Sequence, residues 1–192
     1  MAIELTGNWK KGLAFDVHTL DSVYIGTDDN GYDQWETTRS EMGELIYQLK
    51  YRGDQKCVPK IINLLEKIKG IDTFDVIVPI PPTNPARRWQ PVTQIAEALG
   101  KLHHVKVLPK LLIKKQSGLE LKNVDDPDER RELLQSSMTI SESHDVSGLK
   151  ILLIDDLYRS GSTLWVATEL VLEDGDAAAV CVLTMTKTQS KR

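Results

Sequence analysis

The hydrophobic and polar positions of this chain change between two periods, which predicts strands that alternate with helices. Apolar-rich segments at 74–79, 105–108, 151–156 and 177–185 are typical of strands buried on both faces of a parallel sheet. Between them, apolar residues spaced three and four positions apart predict amphipathic helices. The pattern therefore predicts an α/β fold, with a parallel sheet flanked by helices and right-handed crossovers.

Residues with known capping preferences mark the ends of the predicted helices. The predicted helices are 41–51, capped by Ser40; 58–69, ended by Gly70; 91–102, with Pro91 in the first turn; and 164–173. Residues 1–39 are polar and rich in Gly and Asp, and they predict the strands and turns of a small N-terminal cap. Residues 40–192 predict a single α/β domain.

Composition narrows the class of protein. With 192 residues, 41% hydrophobic and 27% charged, the chain is sufficient for one globular unit. The net charge of −4 makes a nucleic-acid partner or an anionic membrane an unlikely target. Cys57 and Cys181 lie far apart without metal-ligand spacing, which indicates a reducing compartment. The chain has no apolar run of about 20 residues and no signal-peptide core, so we expect a cytoplasmic protein with no membrane partner.

The segment 150–164 carries the most informative chemistry. Asp155 and Asp156 follow an apolar run, and in open α/β sheets ligands collect at the carboxyl ends of strands. Gly161 permits close approach of the backbone to a ligand, and the neighbouring hydroxyl residues can cap a helix whose free amides bind phosphate. Ionised carboxylates accept hydrogen bonds from hydroxyls or hold a divalent cation. The segment therefore predicts a site for a sugar phosphate.

Three other interpretations share parts of this pattern. A phosphoacceptor receiver domain also has paired acids after a strand, but far more chain would then follow than the stretch to Arg192. A nucleoside triphosphatase would need G-x-x-x-x-G-K-[ST], and the chain contains no such string. The third interpretation is structural: Asp155 and Asp156 would simply end a strand and cap a turn.

The same segment resembles the phosphoribosyl pyrophosphate (PRPP) loop of type I phosphoribosyltransferases. That pattern is an apolar strand, two acids, a few residues and then Thr-Thr-Gly-x-Thr. The matching positions are Asp155, Asp156, Ser160, Gly161 and Thr163, whereas Arg159 stands where the family commonly has Thr. The resemblance implies a type I phosphoribosyltransferase-like fold, PRPP as substrate and Mg²⁺ as cofactor.

The resemblance also implies roles for these residues. Asp155 and Asp156 would be the catalytic carboxylates that hold the ribose hydroxyls and, partly through PRPP, the Mg²⁺ ion. Arg159 would add a charged donor to the phosphate or would point to solvent. The implied 5′-phosphate site consists of Arg159, Ser160, Gly161, Ser162 and Thr163.

A proline-rich loop follows the strand at 74–79. Pro81 and Pro82 make this loop rigid, and Arg87 and Arg88 offer bidentate donors that suit a diphosphate. In type I phosphoribosyltransferases the corresponding place is the pyrophosphate loop. An ordinary proline-rich turn with two solvated arginines explains the same residues equally well.

A charged stretch between 114 and 131 predicts either a lid over the site or simple surface charge. A lid would exclude water from a reactive sugar cation. The candidates for supplying positive charge to a leaving diphosphate are Lys114, Lys115 and Arg130. Ordinary surface charge is the commoner explanation for each of them alone.

The order of the motifs resembles the ComF-like branch of these proteins. The motifs are Leu49–Asp54, the V-P-I-P-P string with Arg88, Lys115-Gln116 with Glu129-Arg130, and I-D-D. Two features depart from that branch: the chain has no N-terminal cysteine zinc ribbon, and Trp89-Gln90-Pro91 replaces a common Gly-Phe-Asn.

The resemblance implies a phosphoribosyltransferase that transfers phosphoribosyl from PRPP to a nitrogen nucleophile, a base or an amine, and releases pyrophosphate. Two alternatives stay open: a non-catalytic regulatory protein that binds PRPP or a nucleotide, and a ComF-like protein associated with competence and DNA uptake. The expected partners are PRPP and a small-molecule acceptor. A homodimer is a further expectation, and the candidates for its interface are Trp9, Trp35 and Trp89. Core packing is the commoner use of such residues. The histidines, including His18, lie outside all of these motifs.

Overall fold

A six-stranded sheet forms the centre of the molecule in the computed structural model, which describes residues 2–114 and 138–189. Neighbouring strands in this sheet are parallel except for the first pair, which is antiparallel. The predicted parallel sheet is thus confirmed, with one antiparallel edge strand added. In spatial order its strands are β1 (Ile3–Leu5), β2 (Lys11–Val17), β10 (Ala179–Lys187), β9 (Lys150–Tyr158), β5 (Val76–Pro79) and β6 (Lys106–Val107).

Two small antiparallel pairs lie outside the central sheet. The first is the hairpin β3 (Thr19–Thr27) and β4 (Asp33–Arg39), and the second pairs β7 (Leu112–Lys114) with β8 (Met138–Ile140). Of the segment predicted as a cap, β1 and β2 therefore belong to the main sheet. Only residues 19–39, called the hairpin below, form a unit of their own.

Within the described part of the chain, four α-helices cover the sheet. They are α1 (Glu41–Tyr47), α2 (Cys57–Leu65), α3 (Pro91–His103) and α4 (Ser162–Glu173). A π-helical turn, Gln48–Arg52, continues α1, and a 3-10 turn, Ile71–Thr73, precedes β5. Among the described residues no helix combines the length and the apolar character that a membrane crossing requires.

The ends of the helices test the boundaries that were predicted from capping residues. The Oγ of Ser40 accepts a hydrogen bond from the amide of Gly43 at 3.0 Å, so the predicted cap of α1 is confirmed. The prediction that the second helix runs to Gly70 is wrong, because α2 ends at Leu65. Beyond Leu65 the backbone forms tighter turns, with the amide of Ile68 bonded to the carbonyl oxygen of Leu65 at 2.9 Å. Ile68 still packs against the core, but its neighbours Glu66, Lys67 and Lys69 are exposed.

The central strand β9 explains why the core has two layers. Its side chains alternate between the faces of the sheet. Ile151 and Leu153 pack on the α4 side, whereas Leu152 and Ile154 pack on the side covered by α1, α2 and α3. All four are at most 3% exposed, so the continuous apolar run is confirmed as a strand buried on both faces. Each such side chain contributes about 1.5–3 kcal/mol by its burial.

Candidate functional site

A cleft of about 470 Å³ opens at the carboxyl ends of β5 and β9. These strands are adjacent and parallel, with Pro79 in register with Ile154. The segments that follow them therefore emerge at the same edge of the sheet, which is the usual place for ligands in this architecture. The cleft is large enough for a small-molecule ligand. Its charged lining residues are Lys50, Arg87, Lys114, Asp155, Asp156 and Arg159.

The two acids lie inside the strand and not after its end, because β9 continues to Tyr158. The two-residue period of the strand sends their side chains toward opposite faces. Asp156 follows the parity of Ile154, toward α1, and is only 7% exposed. Asp155 follows the parity of Leu153 and is partly exposed. Its Oδ1 accepts a hydrogen bond from the amide of Asp156 at 2.8 Å.

Lys50 completes the site and was missed as a site residue at the sequence level. Its Nζ donates to the Oδ2 of Asp156 at 2.5 Å. The residue belongs to the π-helical turn after α1, 106 positions away along the chain. Lys50 belonged to a motif that resembled the ComF-like branch, but nothing in that motif indicated which acid it contacts.

The electrostatic environment shifts the acidity of Asp155. Burial raises the pKa of this carboxyl to about 7, and repulsion from Asp156 acts in the same direction. The hydrogen bond from the amide of Asp156 and the charges of Lys50 and Lys114 oppose this rise in pKa. Asp155 therefore gains and loses its proton near neutral pH, which is typical of functional carboxyls as well as of buried structural ones.

The backbone of Asp156 is held from the neighbouring strand. The hydroxyl of Thr186 donates to the Asp156 carbonyl oxygen at 3.0 Å, and the Nδ1 of His18 lies 3.1 Å from the same hydroxyl oxygen. Because the hydroxyl hydrogen points to the carbonyl, Nδ1 of His18 is the donor in the second bond. Burial, followed by the charge of Arg39, lowers the pKa of His18, which favours this neutral form.

A second threonine of β10 lies beside Asp155. Thr184 is in register with Asp155, fully buried, and its hydroxyl has no hydrogen-bond partner within the described part of the chain. A buried hydroxyl without a partner is uncommon in native structures. It supplies a donor on the strand next to the carboxyl whose pKa is raised.

The loop at 159–163 turns from β9 into α4. Arg159 and Thr163 line the cleft, whereas Ser160, Gly161 and Ser162 do not contribute to its lining. The predicted hydroxyl cap is wrong, because the N-cap residue is Gly161 and α4 begins two positions earlier than predicted. The Ser160 hydroxyl instead accepts from the amide of Ser162 at 3.5 Å and lies 3.0 Å from its hydroxyl.

Gly161 is required by its surroundings. Its φ is +80°, and a Cβ at this position would lie 2.7 Å from the Oη of Tyr158. The Tyr158 ring is itself held by an edge-on contact with Trp9, with 6.4 Å between ring centroids. The close approach of loop and strand therefore depends on the absence of a side chain.

The proline-rich loop brings only some of its predicted residues to the cleft. Pro81, Pro82 and Arg87 line it, and Gln90 holds the loop by donating to the carbonyl oxygen of Arg87 at 3.0 Å. Arg88 is not a lining residue: it is exposed, and its guanidinium lies 5.5 Å from the ring centroid of Trp89. Whether either arginine binds a diphosphate stays a prediction.

Of the three lid candidates, the structure places one. Lys114, the last residue of β7, lines the cleft. Lys115 and Arg130 lie outside the described residues. With Lys50, Arg87 and Arg159, the described lining of the cleft thus carries four cationic side chains and two acids, which favours an anionic ligand that also presents hydroxyls.

The carboxylates do not make a complete metal site by themselves. Within residues 2–114 and 138–189, no group of three or more His, Cys, Asp or Glu side chains could hold a metal ion. Asp155 and Asp156 fit Mg²⁺ only in the common arrangement in which one or two carboxylates share the ion with water and substrate phosphates.

Comparisons with known proteins agree with the motif order. No family model matches the chain. The chain is 28% identical over 156 residues to the competence protein ComFC of Bacillus subtilis (strain 168), a match that covers 78% of the chain and 61% of ComFC.

Solved structures of similar arrangement include phosphoribosyltransferases. An adenine phosphoribosyltransferase from Thermoanaerobacter pseudethanolicus matches with a TM-score of 0.45 and 14% identity, over 84% of this chain and 93% of that one. An orotate phosphoribosyltransferase from Aeropyrum pernix matches with a TM-score of 0.45 and 9% identity, over 85% and 75%. These similarities concern the arrangement of the chain alone. The chain is therefore similar in sequence to a competence protein, spans less than two thirds of that relative's length, and has an α/β fold built on a mainly parallel sheet.

Proposed function

We propose that this protein is a phosphoribosyltransferase, which transfers phosphoribosyl from PRPP to a nitrogen nucleophile and releases pyrophosphate. The observation that carries the proposal is one cleft that joins two carboxylates, Asp155 and Asp156, with four cationic side chains. PRPP has hydroxyls for the carboxylates and two separate phosphate groups for the cations. We further propose a cytoplasmic location, which suits the free thiols of Cys57 and Cys181.

In this proposal, different groups of lining residues bind different parts of PRPP. Arg159 and Thr163, at the turn into α4, would bind the 5′-phosphate near the amino end of that helix. Asp155 and Asp156 would accept hydrogen bonds from the ribose 2′ and 3′ hydroxyls. Arg87, together with Lys114, would bind the diphosphate.

The mechanism needs positioning and charge stabilisation, not a covalent nucleophile. As the bond between C1 and the diphosphate loosens, positive charge develops on the sugar and negative charge on the leaving group. The ionised carboxylates stabilise the first, and the basic side chains stabilise the second. Mg²⁺ bound with the substrate would supply further charge neutralisation of the diphosphate. The nitrogen nucleophile then attacks C1, and its proton is lost to solvent or to a base.

Calorimetric titration of PRPP, with and without Mg²⁺, tests the proposal. We expect Mg²⁺-dependent binding that is lost in the Asp155→Asn/Asp156→Asn double variant and kept in Asp33→Asn, a matched change on the exposed hairpin. An acceptor panel of bases and amines, assayed for released pyrophosphate, then tests catalysis. Unchanged binding in the double variant would show that the site lies elsewhere.

A second candidate is a regulatory protein that binds PRPP or a nucleotide without turnover. The ion pair between Lys50 and Asp156 supports it, because a cation already occupies one of the carboxylates. Arg159 at a position where the family commonly has Thr supports it as well. Tight Mg²⁺-dependent binding with no pyrophosphate release from any acceptor would favour this candidate over the enzyme.

A third candidate is a role in competence, which the name of the Bacillus subtilis relative suggests. The net charge of −4 opposes direct DNA binding, since affinity for DNA rests largely on phosphate neutralisation. A mobility-shift assay at two salt concentrations tests this candidate. Retention that weakens steeply with salt would support it, and absence of retention would exclude direct DNA binding.

A further inference from the structure

We propose that a second cavity, at the amino ends of the central strands, binds a small aromatic molecule that carries one carboxylate. This cavity, called the amino-end cavity below, has a volume of about 230 Å³. It lies at the end of the sheet opposite the cleft, and the described lining residues of the two are all different. The site is independent of the proposed function, and its tests use neither PRPP nor Mg²⁺.

Two rows of residues across β2, β10 and β9 form the floor of the amino-end cavity. Cys181 is in register with Lys11 on one side and with Leu152 on the other, so these three residues make the first row. Leu13 and Leu183 make the second row, two positions farther along their strands. Because side chains alternate along a strand, both rows face the side of the sheet that α1, α2 and α3 cover. The floor is therefore apolar except for Lys11.

The connection from α2 to β5 forms the wall of the cavity. Residues 68–71, 73 and 74 of this connection line it. Ile71 is 2% exposed and anchors the connection in the core, whereas Ile68 and Phe74 are only partly buried and present apolar surface. Since α2 already ends at Leu65, the space over the floor is bounded by this connection and is not filled by a helix.

The size and the lining of the cavity favour a ligand with one apolar ring. A cavity of about 150 Å³ is sufficient to hold benzene, so the larger amino-end cavity has room for a ring with a short substituent. The Thr73 hydroxyl donates to the carbonyl oxygen of Gly70 at 2.6 Å, which engages its one donor. A sugar or a nucleotide would lose its hydration here without gaining enough partners, and such a loss is costly.

Two lysines give the cavity its charge. Lys11 lies in the floor and Lys69 in the wall, and both are exposed, so they lie where the cavity meets solvent. The acids of the same connection, Glu66, Asp72 and Asp75, do not line the cavity. Among the described residues the lining is therefore apolar with a positive rim. Such a lining complements an apolar body that ends in a single carboxylate.

Two-dimensional amide NMR with phenylacetate as the probe tests the proposal. We expect the signals of Gly70, Thr73 and Cys181 to shift with a Kd on the order of 0.1–1 mM, while the signal of Gly161 in the cleft loop does not move. Acetate, which has no ring, should leave all four signals unchanged. No shifts with phenylacetate, or shifts at Gly161 in place of the cavity signals, would overturn the proposal.

The neutral analogue phenylacetamide tests the requirement for a carboxylate. We expect it to bind about threefold to tenfold more weakly than phenylacetate, because exposed charge pairs contribute modestly to affinity. Equal affinities for the two compounds would overturn the assignment to an anionic ligand.

A pair of double lysine variants tests the source of the charge. Lys11→Met/Lys69→Met removes the two lining charges, and Lys10→Met/Lys67→Met removes two exposed neighbours that do not line the cavity. We expect the first variant to bind phenylacetate about threefold to tenfold more weakly and phenylacetamide as before. The second should change both affinities by less than about twofold. Equal weakening in the two variants would mean that only net charge matters, which overturns the site.

Filling the cavity tests its position. Cys181→Phe places a ring in the first row of the floor and should abolish phenylacetate binding, whereas Cys181→Ala leaves more space and should retain it. Cys181→Met replaces the Phe variant if that one does not fold. Unchanged affinity in the filled variant would overturn the proposal. A dilution series without ligand completes the test, since cavity signals that move with protein concentration would assign this surface to a second copy of the chain and overturn the ligand site.

Discussion

The cleft and the hairpin are both built on a pair of adjacent strands, yet their surroundings are opposite. The strands beneath the cleft, β5 and β9, lie inside the central sheet, and their apolar side chains at 76–78 and 151–154 are at most 3% exposed. The hairpin forms a sheet of its own, and its large apolar residues are 49–70% exposed. Those residues are Leu20, Val23, Tyr24, Ile25, Tyr32 and Trp35. A two-stranded hairpin without a covering layer is marginally stable in water. Only the first pair of strands can therefore hold charged groups in fixed positions.

The cleft and the hairpin also differ in charge. The hairpin carries five acids and one arginine, so its net charge of −4 equals that of the whole chain. The described residues that line the cleft include four cations and two acids. An anionic ligand is therefore attracted to the cleft and repelled by the hairpin, although the net charge of the chain alone gives no indication of such a site.

Truncating one side chain in each region should give the largest difference between the cleft strands and the hairpin, measured as a loss in the free energy of unfolding. Leu153→Ala removes a fully buried side chain from β9, and we expect a loss of about 2–5 kcal/mol in the free energy of unfolding. Ile25→Ala on the hairpin, where the side chain is 62% exposed, should change it by less than about 0.5 kcal/mol. Urea denaturation measures both. Equal losses would show that the hairpin is part of the cooperative core.

A pair of glycines with similar backbone angles sharpens the comparison. Gly161 and Gly31 have φ values of +80° and +83°, but a Cβ at Gly31 would meet nothing within 4 Å. We expect Gly31→Ala to cost about 1 kcal/mol from backbone strain. Gly161→Ala should cost about 2–4 kcal/mol, because Tyr158 must also move. Thermal unfolding of the two variants tests this difference, and similar costs would contradict the crowding at Gly161.

The pH dependence of stability should distinguish an acid of the cleft from one of the hairpin. The pKa of Asp155 is about 7 in the folded protein, above the ordinary value of 3.8, so the folded state binds the proton more tightly. Its contribution to stability is complete below pH 3.8 and is lost as the pH rises to about 7. We expect Asp155→Asn to raise the Tm at pH 8 by about 2–4 °C or more. This gain in Tm should vanish near pH 4.

Asp33→Asn on the exposed hairpin is the matched control for this titration. It should change the Tm by less than about 1 °C at either pH, since surface substitutions have small effects. A gain in Asp155→Asn that is the same at pH 4 and pH 8 would show that the benefit comes from packing and not from titration.

The smallest effect should come from the aromatic pair of the hairpin. Tyr24 and Trp35 meet edge to face across the strands, with ring centroids 5.3 Å apart. We expect Trp35→Ser to loosen the hairpin, seen as faster amide exchange in β3 and β4, without changing the affinity for PRPP. Sedimentation velocity on the same variant tests the predicted homodimer. A weaker association in Trp35→Ser would assign that contact to the hairpin.

Individual strands and helices show how much of the fold could be predicted from the sequence. The alternation of apolar runs and amphipathic spacing was sufficient for β5, β9, β10 and α3, because buried strands and capped helices leave strong local patterns. The predicted end of α2 was wrong because the apolar spacing continues to Ile68, whereas the backbone already leaves the α-helical hydrogen-bond pattern after Leu65. The place of β1 and β2 in the main sheet was not visible, since strand pairing is a long-range event that short alternating segments do not specify.

The sequence by itself determined that two carboxylates and a glycine turn follow the apolar run of one buried strand, and that a proline-rich loop follows another. The parallel pairing of β5 with β9 then decided that these pieces share one cleft. Only the tertiary structure decided which charges meet there: Lys50 reaches Asp156 from a π-helical turn, while Arg88 turns away toward Trp89. The physical reason is that periodicity is a local property, whereas the distance between two charges depends on how distant segments pack.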